Sequence, residues 1–500
     1  MEFVIFFRAI IDFVTPFNML LSAFAMVLGI IVGVLPGLSA TIGLALLTGI
    51  TYTASRDTAM ILMIGLYVGV MFGGSFTSIL INIPGTGSAA ATCLDGYPLA
   101  KQGKAIDAII TCRVASFIGS LFGLLVYVLL APIMTKFALN FTSAEYFWLG
   151  VFGILICGTL AAPDLPIKGW IAGLVGIMFS YVGMEDIGAY QRFTFGVPQL
   201  VGGVPLVSLM IGFFGIPQLI KMVKNVKDFE QMEVRKKTIS IFNTIRQNIL
   251  GIIRWGVIGV GIGVLPGIGE NISAWAAYGD ARKTSKHPER FGKGAIEGVM
   301  APETANNAAV GGCLIPTLTL GVPGSPPTAV LMGALMLHEV HPGPMLKYDA
   351  PNFLYEMGAW LFWATVFLLI IGTLLTKPVC MVLKVPPKIL APLIAVLCII
   401  GTFSVSNDIF SLKLVILFGI IGYIFDKQGY SSGPFILGFI LGPFTDTNLR
   451  RVLHLNNGDL FSLINRPISM ILFISTLFMI VSTFVPIKTL AKKIFGKNTG

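Results

Sequence analysis

GVLPGLSATIGLALL, residues 33–47, and GVLPGIGENISAW, residues 263–275, open on the same five residues, 230 positions apart. Each Gly-Val-Leu-Pro-Gly ends a hydrophobic stretch and opens a run of small and hydroxyl residues. A second pair follows in the same order: Ile83-Pro84-Gly85 with Thr86, Gly87 and Ser88, then Val322-Pro323-Gly324 with Ser325. Pro84 and Pro323 are 239 residues apart, so both motifs recur at nearly one spacing. Pro and Gly interrupting apolar segments at matching places in two halves point to a transporter's binding site. A broken helix frees backbone N–H and C=O groups, which persist at membrane depth only where they line a cavity or bind something.

Composition sets the surroundings of these breaks. Hydrophobic residues make up 55% of the 500-residue chain and charged residues 12%. Soluble domains carry roughly 25% charged residues, so the chain lacks the polar surface that water requires. Apolar stretches near the ~20 residues needed to span a bilayer recur near 17–35, 57–83, 105–131, 144–162, 168–184, 203–221, 247–266, 295–320, 353–376, 389–404, 411–426 and 466–488. The expected fold is an all-α polytopic membrane protein of about ten to twelve transmembrane helices. It holds two repeats, inverted as paired breaks of this kind predict, with Pro-Gly-broken helices or re-entrant hairpins. The apolar N-terminus lacks a small-residue cleavage site and reads as a retained first helix.

The formal net charge of +10 does not indicate nucleic acid. Its lysines and arginines gather in short hydrophilic joints: Lys221, Lys224, Lys227, Arg235, Lys236 and Lys237, then Lys488, Lys492, Lys493 and Lys497. By the positive-inside rule these place the 221–246 joint and the C-terminus in the cytoplasm. The charged stretch divides the chain into a first repeat (1–221), a linker (222–246) and a second repeat with additional C-terminal helices (247–500). Six scattered cysteines suggest neither a disulfide framework nor a zinc site.

Within each repeat an apolar helix runs into Val-Leu-Pro-Gly, and a short stretch follows (Leu38 to Leu47, Ile268 to Tyr278). A glycine pair, Gly73-Gly74 or Gly311-Gly312, then opens an apolar segment ending at the Pro-Gly loop. None of the loop regions 33–43, 82–92, 263–275 and 320–328 contains Lys or Arg. An anionic ligand would therefore rest on helix N-termini, hydroxyls and bound cations. Gly37, Gly85, Gly87, Gly267 and Gly324 allow close backbone approach. Ser39, Thr41, Thr86, Ser88, Asn271, Ser273, Ser325 and Thr328 supply polar groups. The alternative is that small residues here only let helices pack closely.

Ala301-Pro302-Glu303-Thr304-Ala305-Asn306-Asn307-Ala308 puts a carboxylate and two amides inside an apolar segment. Ionisable groups there are costly and usually functional. Glu303 shares a helical face with Asn306 or Asn307. Glu270 repeats the theme in the third loop and Asn82 flanks the second. These five are the candidate ion-coupling residues. Their oxygen ligands suit Na⁺, Glu270 could instead carry a proton, and a polar clasp between helices is the alternative for Glu303 and its neighbours. No other metal and no organic cofactor is indicated.

Three motif matches lack their context. Gly429-Tyr430-Ser431-Ser432-Gly433 fits a nucleophile elbow without strand-turn-helix surroundings. His338-Glu339-Val340-His341 is one residue short of zinc-protease spacing and Pro342 follows. Lys101-Gln102-Gly103-Lys104 is too short for a phosphate loop. An enzyme is therefore not expected. A carboxylate channel and a membrane scaffold for a solute-binding protein remain as alternatives to a carrier.

The two GVLPG stretches, GGSFTSILINIPGTGSAAATCLDGYPLAKQGKA (73–105), the run from Ser285 to His338 and HPGP (341–344) resemble the large permease subunit of tripartite tricarboxylate transporters, the TctA family. The resemblance covers most of the chain. It implies a bacterial inner-membrane protein working with a small four-helix membrane subunit (TctB-like) and a periplasmic solute-binding protein (TctC-like). It further implies secondary import, by symport with Na⁺ or H⁺, of citrate-like or other carboxylates.

Overall fold

The computed structural model describes residues 2–35, 38–162, 165–185, 187–224, 241–267, 269–376, 378 and 387–484. Most of the linker and the basic C-terminal cluster lie outside the described residues, as do Gly37 and Cys380. Helices α1 (Glu2–Asp12), α2 (Pro16–Val34), α3 (Ala40–Ile50), α4 (Arg56–Ile81), α5 (Ala89–Leu99) and α6 (Ala105–Ala138) come first. Next are α7 (Ser143–Ala161), α8 (Pro166–Ser180), a two-residue-stranded hairpin (β1 Gly183–Met184, β2 Gln191–Arg192), α9 (Leu206–Met210) and α10 (Ile216–Lys224). The second half holds α11 (Ile241–Gly263), α12 (Gly269–Thr284), α13 (Ile296–Leu320), α14 (Pro326–Leu337), α15 (Leu346–Asp349) and α16 (Phe353–Leu374). It ends with α17 (Pro387–Ser406), α18 (Ile409–Lys427), α19 (Ser432–Leu455) and α20 (Pro467–Phe484).

The all-α polytopic expectation holds. Among the described residues, seven helical segments are long and apolar enough to cross a membrane: Pro16–Val34, Arg56–Ile81, Ala89–Ala138, Ser143–Ala161, Phe353–Leu374, Ile409–Lys427 and Pro467–Phe484. Each overlaps a stretch anticipated from sequence. Five further apolar helices are shorter, among them α3, α8 and α14, as interrupted helices should be. Helix α19 has no counterpart among the anticipated spans, because Asp446, Arg450 and Arg451 break the apolar run in its second half.

The side chains are distributed inside out relative to a water-soluble bundle. Leu125, Leu129 and Ile133 of α6 and Leu250, Ile253 and Val257 of α11 are exposed. Ser75, Thr77, Ser78, Glu303, Asn306 and Asn307 are buried. Apolar outer faces suit lipid, and polar groups placed inside a bundle mark function.

Two compact units make up the chain: residues 1–139 with 205–424, and residues 140–204 with 425–500. The first draws on both sequence halves, so compact units and sequence repeats are different divisions of the chain. The second packs α7 and α8 against α19, and α20 against α7. A capping box between Thr142 and Glu145 starts α7, and Arg192 ties Glu185 (3.2 Å) to Asp446 (2.9 Å).

Inside the first unit the repeat is a repeat in space. Helix α2 packs along α4 as α11 packs along α13. A side chain on Gly73 would meet the backbone of Ile30 and Gly33, and one on Gly312 would meet that of Val260 and Gly263. The contacts correspond residue for residue at the spacings read from sequence, 230 for the first helix and 239 for the second. One expectation needs correction. The glycine pairs do not open new segments. Gly73-Gly74 and Gly311-Gly312 lie inside the continuous helices α4 and α13, where a missing Cβ lets two helices cross backbone to backbone.

The repeats also interlock. Helix α13 packs on α6 from the first repeat, α4 packs on α16 from the second, and α5 packs on α13 and α12. Helix α14 packs on α3 in return.

Candidate functional site

Helices α4 and α13 end the same way before their Pro-Gly loops. Asn82 closes α4 in the left-handed region (φ 56, ψ 31) and its N–H donates to the Thr77 carbonyl. Gly321 closes α13 (φ 69, ψ 24) and donates to the Pro316 carbonyl. Glycine tolerates that conformation, and asparagine does so better than most residues. Asn82 is thus a helix terminator with an exposed side chain, apart from the buried Glu303, Asn306 and Asn307.

The chain then folds back on its own repeat. Gly85 rests against the Gly33 carbonyl and Gly74, its N–H donating to the Gly74 carbonyl at 3.2 Å. Gly324 rests against the Gly263 carbonyl and Cys313. The Gly267 N–H donates to the Pro323 carbonyl at 3.1 Å, and Gly269 abuts Ser325. First loop meets second, and third meets fourth. The link across the repeats is Gly87 of the second loop, which lies against the Asn271 side chain of the third. The described parts of the four loop regions therefore gather in one place.

New helices start from these loops. Ser39 caps α3 by accepting from the Ile42 N–H at 3.4 Å, with buried Thr41 in the first turn. Ser325 caps α14 by accepting from the Thr328 N–H (3.3 Å), while Thr328 Oγ1 accepts from the Ser325 N–H (2.9 Å). Thr86 Oγ1 accepts from the Ala89 N–H at 3.3 Å at the start of α5 and lies 3.0 Å from Ser88 Oγ. Ser273 donates to the Glu270 carbonyl (2.7 Å) and reaches the Ala305 carbonyl of α13 (3.4 Å).

Two carboxylates stand among these starts. Glu303, 0% exposed, accepts from Ser75 Oγ (2.5 Å) of α4, Thr92 Oγ1 (2.5 Å) of α5 and Ser116 Oγ (3.0 Å) of α6. The second repeat supplies the acid and the first supplies the donors. Glu270, 2% exposed, accepts from the Tyr67 hydroxyl of α4, which also lies 3.3 Å from Ser325 Oγ. Among the described residues neither carboxylate joins an ion pair. A buried carboxylate without a cationic partner is costly as an anion.

Beside Glu303, Asn307 donates to the Glu303 carbonyl (3.0 Å) and lies 3.5 Å from Ser120 Oγ. Asn306 is 1% exposed, yet neither its amide nitrogen nor its oxygen finds a partner among the described residues. Sequence reading missed Tyr67, Ser75, Ser116 and Ser120. Tyr67 did carry a signal, for it stands 239 residues before Asn306, in the register of the repeat. Among the described residues no cluster of His, Cys, Asp and Glu could hold a metal ion.

Helices with apolar outer faces, built around paired breaks and sealed polar groups, define a multi-pass membrane transporter. The model of the tripartite tricarboxylate transporter TctA family matches residues 19–437. The chain is 36% identical over 484 residues, 96% of each chain, to an uncharacterized 52.8 kDa protein in the TAR-I ttuC' 3' region of Agrobacterium vitis. A protein in the TAR-II ttuC' 3' region of the same organism is also 36% identical, over 208 residues, 42% of this chain and 86% of that one. No solved structure matches the chain. The chain belongs to the TctA family, the large membrane component of a tripartite system whose other members are TctB and TctC.

Proposed function

We propose that the chain imports tricarboxylates or related carboxylates as the permease of a binding-protein-dependent secondary carrier in a bacterial inner membrane, driven by a Na⁺ or H⁺ gradient. The loop cluster is the substrate chamber. Ser39, Thr41, Thr86, Ser88, Ser325 and Thr328 with their helix N-termini hold the anion, and Asn271 and Ser273 close it from the other repeat. Glu303, Asn306 and Asn307 form the cation side, with Glu270 between the two. Substrate and cation then favour each other's binding, as linkage requires. A TctC-like protein delivers the substrate, a TctB-like subunit accompanies the permease, and the 222–246 linker and C-terminus face the cytoplasm.

The observation that carries this reading is the meeting of Gly87 with Asn271. It brings loops of opposite repeats together beside two buried carboxylates that lack ion pairs. Opposed loops from interlocked repeats support alternating access over a continuous pore, and a carrier over an enzyme or a passive scaffold. The test is uptake of labelled citrate by proteoliposomes holding the permease with both partners. Saturable uptake that stops when both ion gradients are dissipated supports the proposal. Uptake that ignores both gradients defeats it.

A further inference from the structure

Glu270 sits where the ligand should. It is the second residue of α12, so its carboxylate lies in the first turn, at the positive end of that helix. Its oxygen meets the Tyr67 hydroxyl, and that hydroxyl is 3.3 Å from Ser325 Oγ, the cap of α14. One protein carboxylate thus stands at two helix N-termini, the groups a bound anion would use.

Asn306 is an independent pointer to a ligand. Its amide is buried and unpartnered at both ends. On α13 it lies one turn from Glu303, whose carboxylate meets α4 and α5, and follows Ala305, whose carbonyl is 3.4 Å from Ser273 of α12. A buried amide left without partners is costly, and a ligand carboxylate would satisfy its N–H.

We infer that Glu270 is an internal stand-in for the transported carboxylate: it holds the N-terminal donors of α12 and α14 in the empty carrier and must take up a proton before a substrate carboxylate can share them. This rests on the carboxylate-carrier reading and deepens it by assigning a coupling proton to one residue. Two ionised carboxylates at one site repel. Protonation turns Glu270 from an anion into a neutral donor, the substrate keeps its charge, and one H⁺ travels with it. Tyr67 of α4 and the Cys313 thiol of α13 face Glu270, as does Ser325 of α14. Charged groups of the other packed elements meet α12 elsewhere: Asp95 of α5 at Tyr278 and Arg254 of α11 at Asp280. Glu303 differs, because three hydroxyls of the first repeat already donate to it.

The test uses the full chain in nanodiscs with its partner subunits, and citrate, tricarballylate and tartrate as probes. Proton uptake on binding is read with a pH indicator in weak buffer. We expect one proton taken up per ligand bound, and a Kd that rises about tenfold per pH unit where Glu270 is ionised. Glu270→Gln should bind without that proton, with the pH slope lowered by one; each probe's own titration cancels in this comparison. Tyr67→Phe removes a donor to the anion, so proton uptake should persist to higher pH. Glu270→Asp should restore the uptake, which guards against a glutamine variant that merely misfolds. Binding without proton uptake in the unaltered protein, or uptake that survives in Glu270→Gln, overturns the inference and leaves the carrier standing. Failure of the complete assembly to bind any of the three carboxylates overturns the carrier reading as well.

Discussion

The two repeats share a backbone and divide the chemistry. Helices α2 to α5 and α11 to α14 place the same glycine crossings, the same left-handed terminators and the same fold-back at Gly85 and Gly324. The residues equivalent to Glu270, Glu303, Asn306 and Asn307 in the first repeat are Ala40, Ile64, Tyr67 and Val68. At these four positions repeat two carries carboxylates and amides, and repeat one carries neither. Because the repeats interlock, each acid meets its donors across the boundary: Tyr67 for Glu270, Ser75 and Thr92 for Glu303. Symmetry builds the loop cluster, and its loss at a few positions supplies the polarity on which ion coupling would rest.

The strongest way to break the comparison is to crowd both fold-backs. Valine at Gly85 or Gly324 drives a side chain into backbone, the Gly33 and Gly263 carbonyls respectively. Backbone cannot yield as a side-chain tip can, so each should cost about 3 kcal/mol or more. Thermal unfolding in detergent and the yield of monodisperse protein would report it. Similar losses support structural equivalence; one tolerated valine would show that the loops do not correspond.

A clasp present in only one repeat should give a somewhat smaller effect. Asp95 of α5 is buried and accepts from the Gly292, Gly294 and Ala295 N–H groups, each at 2.8 Å, and from Tyr278 Oη at 2.9 Å. Its equivalent in α14 is Ala334. Asp95→Ala strands three backbone donors and should cost roughly 2–3 kcal/mol. Hydrogen exchange across residues 288–295 should rise with it, while Ala334→Gly leaves that stretch unchanged.

How much of this was legible in sequence follows from the range of the forces involved. The breaks were, because Pro and Gly act locally and the repeat marks them twice. Glu303, Asn306 and Asn307 were, because polar groups stand out in an apolar helix. Ser75 and Ser116 were not: a serine in an apolar helix looks like packing until a carboxylate from 228 or 187 residues away arrives. The interlocking was hidden for the same reason, since local pattern carries no record of which repeat's helix lies alongside. Asn82 was legible as special, but αL termination explains its position better than nearness to the buried acids.

Asn306 sharpens the contrast between stability and function. Its amide finds no partner among the described residues, so Asn306→Leu should raise stability by about 1 kcal/mol. Transport should nevertheless fall at least tenfold if that amide serves a ligand. Asn307→Leu should lose stability, because its Nδ2 donates to the Glu303 carbonyl. Paired melting and uptake measurements check this, and Asn306→Leu with full uptake would return the residue to a packing role.

The smallest effects compare the caps. Ser325 accepts from the Thr328 N–H at 3.3 Å and belongs to a reciprocal box with Thr328, behind two prolines in the first turn. Ser39 makes one cap contact, at 3.4 Å, on the shorter helix α3. Replacing a cap serine with alanine costs about 0.5–2 kcal/mol, so Ser325→Ala belongs near the top of that range and Ser39→Ala near the bottom. Calorimetry on both single variants and the double variant would give their order. Additive losses would mean that the two helix starts act independently. A double variant that loses less than the sum would mean that α3 and α14, which pack together, already loosen as one when either cap is gone, and that the loop cluster yields as a unit at its weakest helix ends.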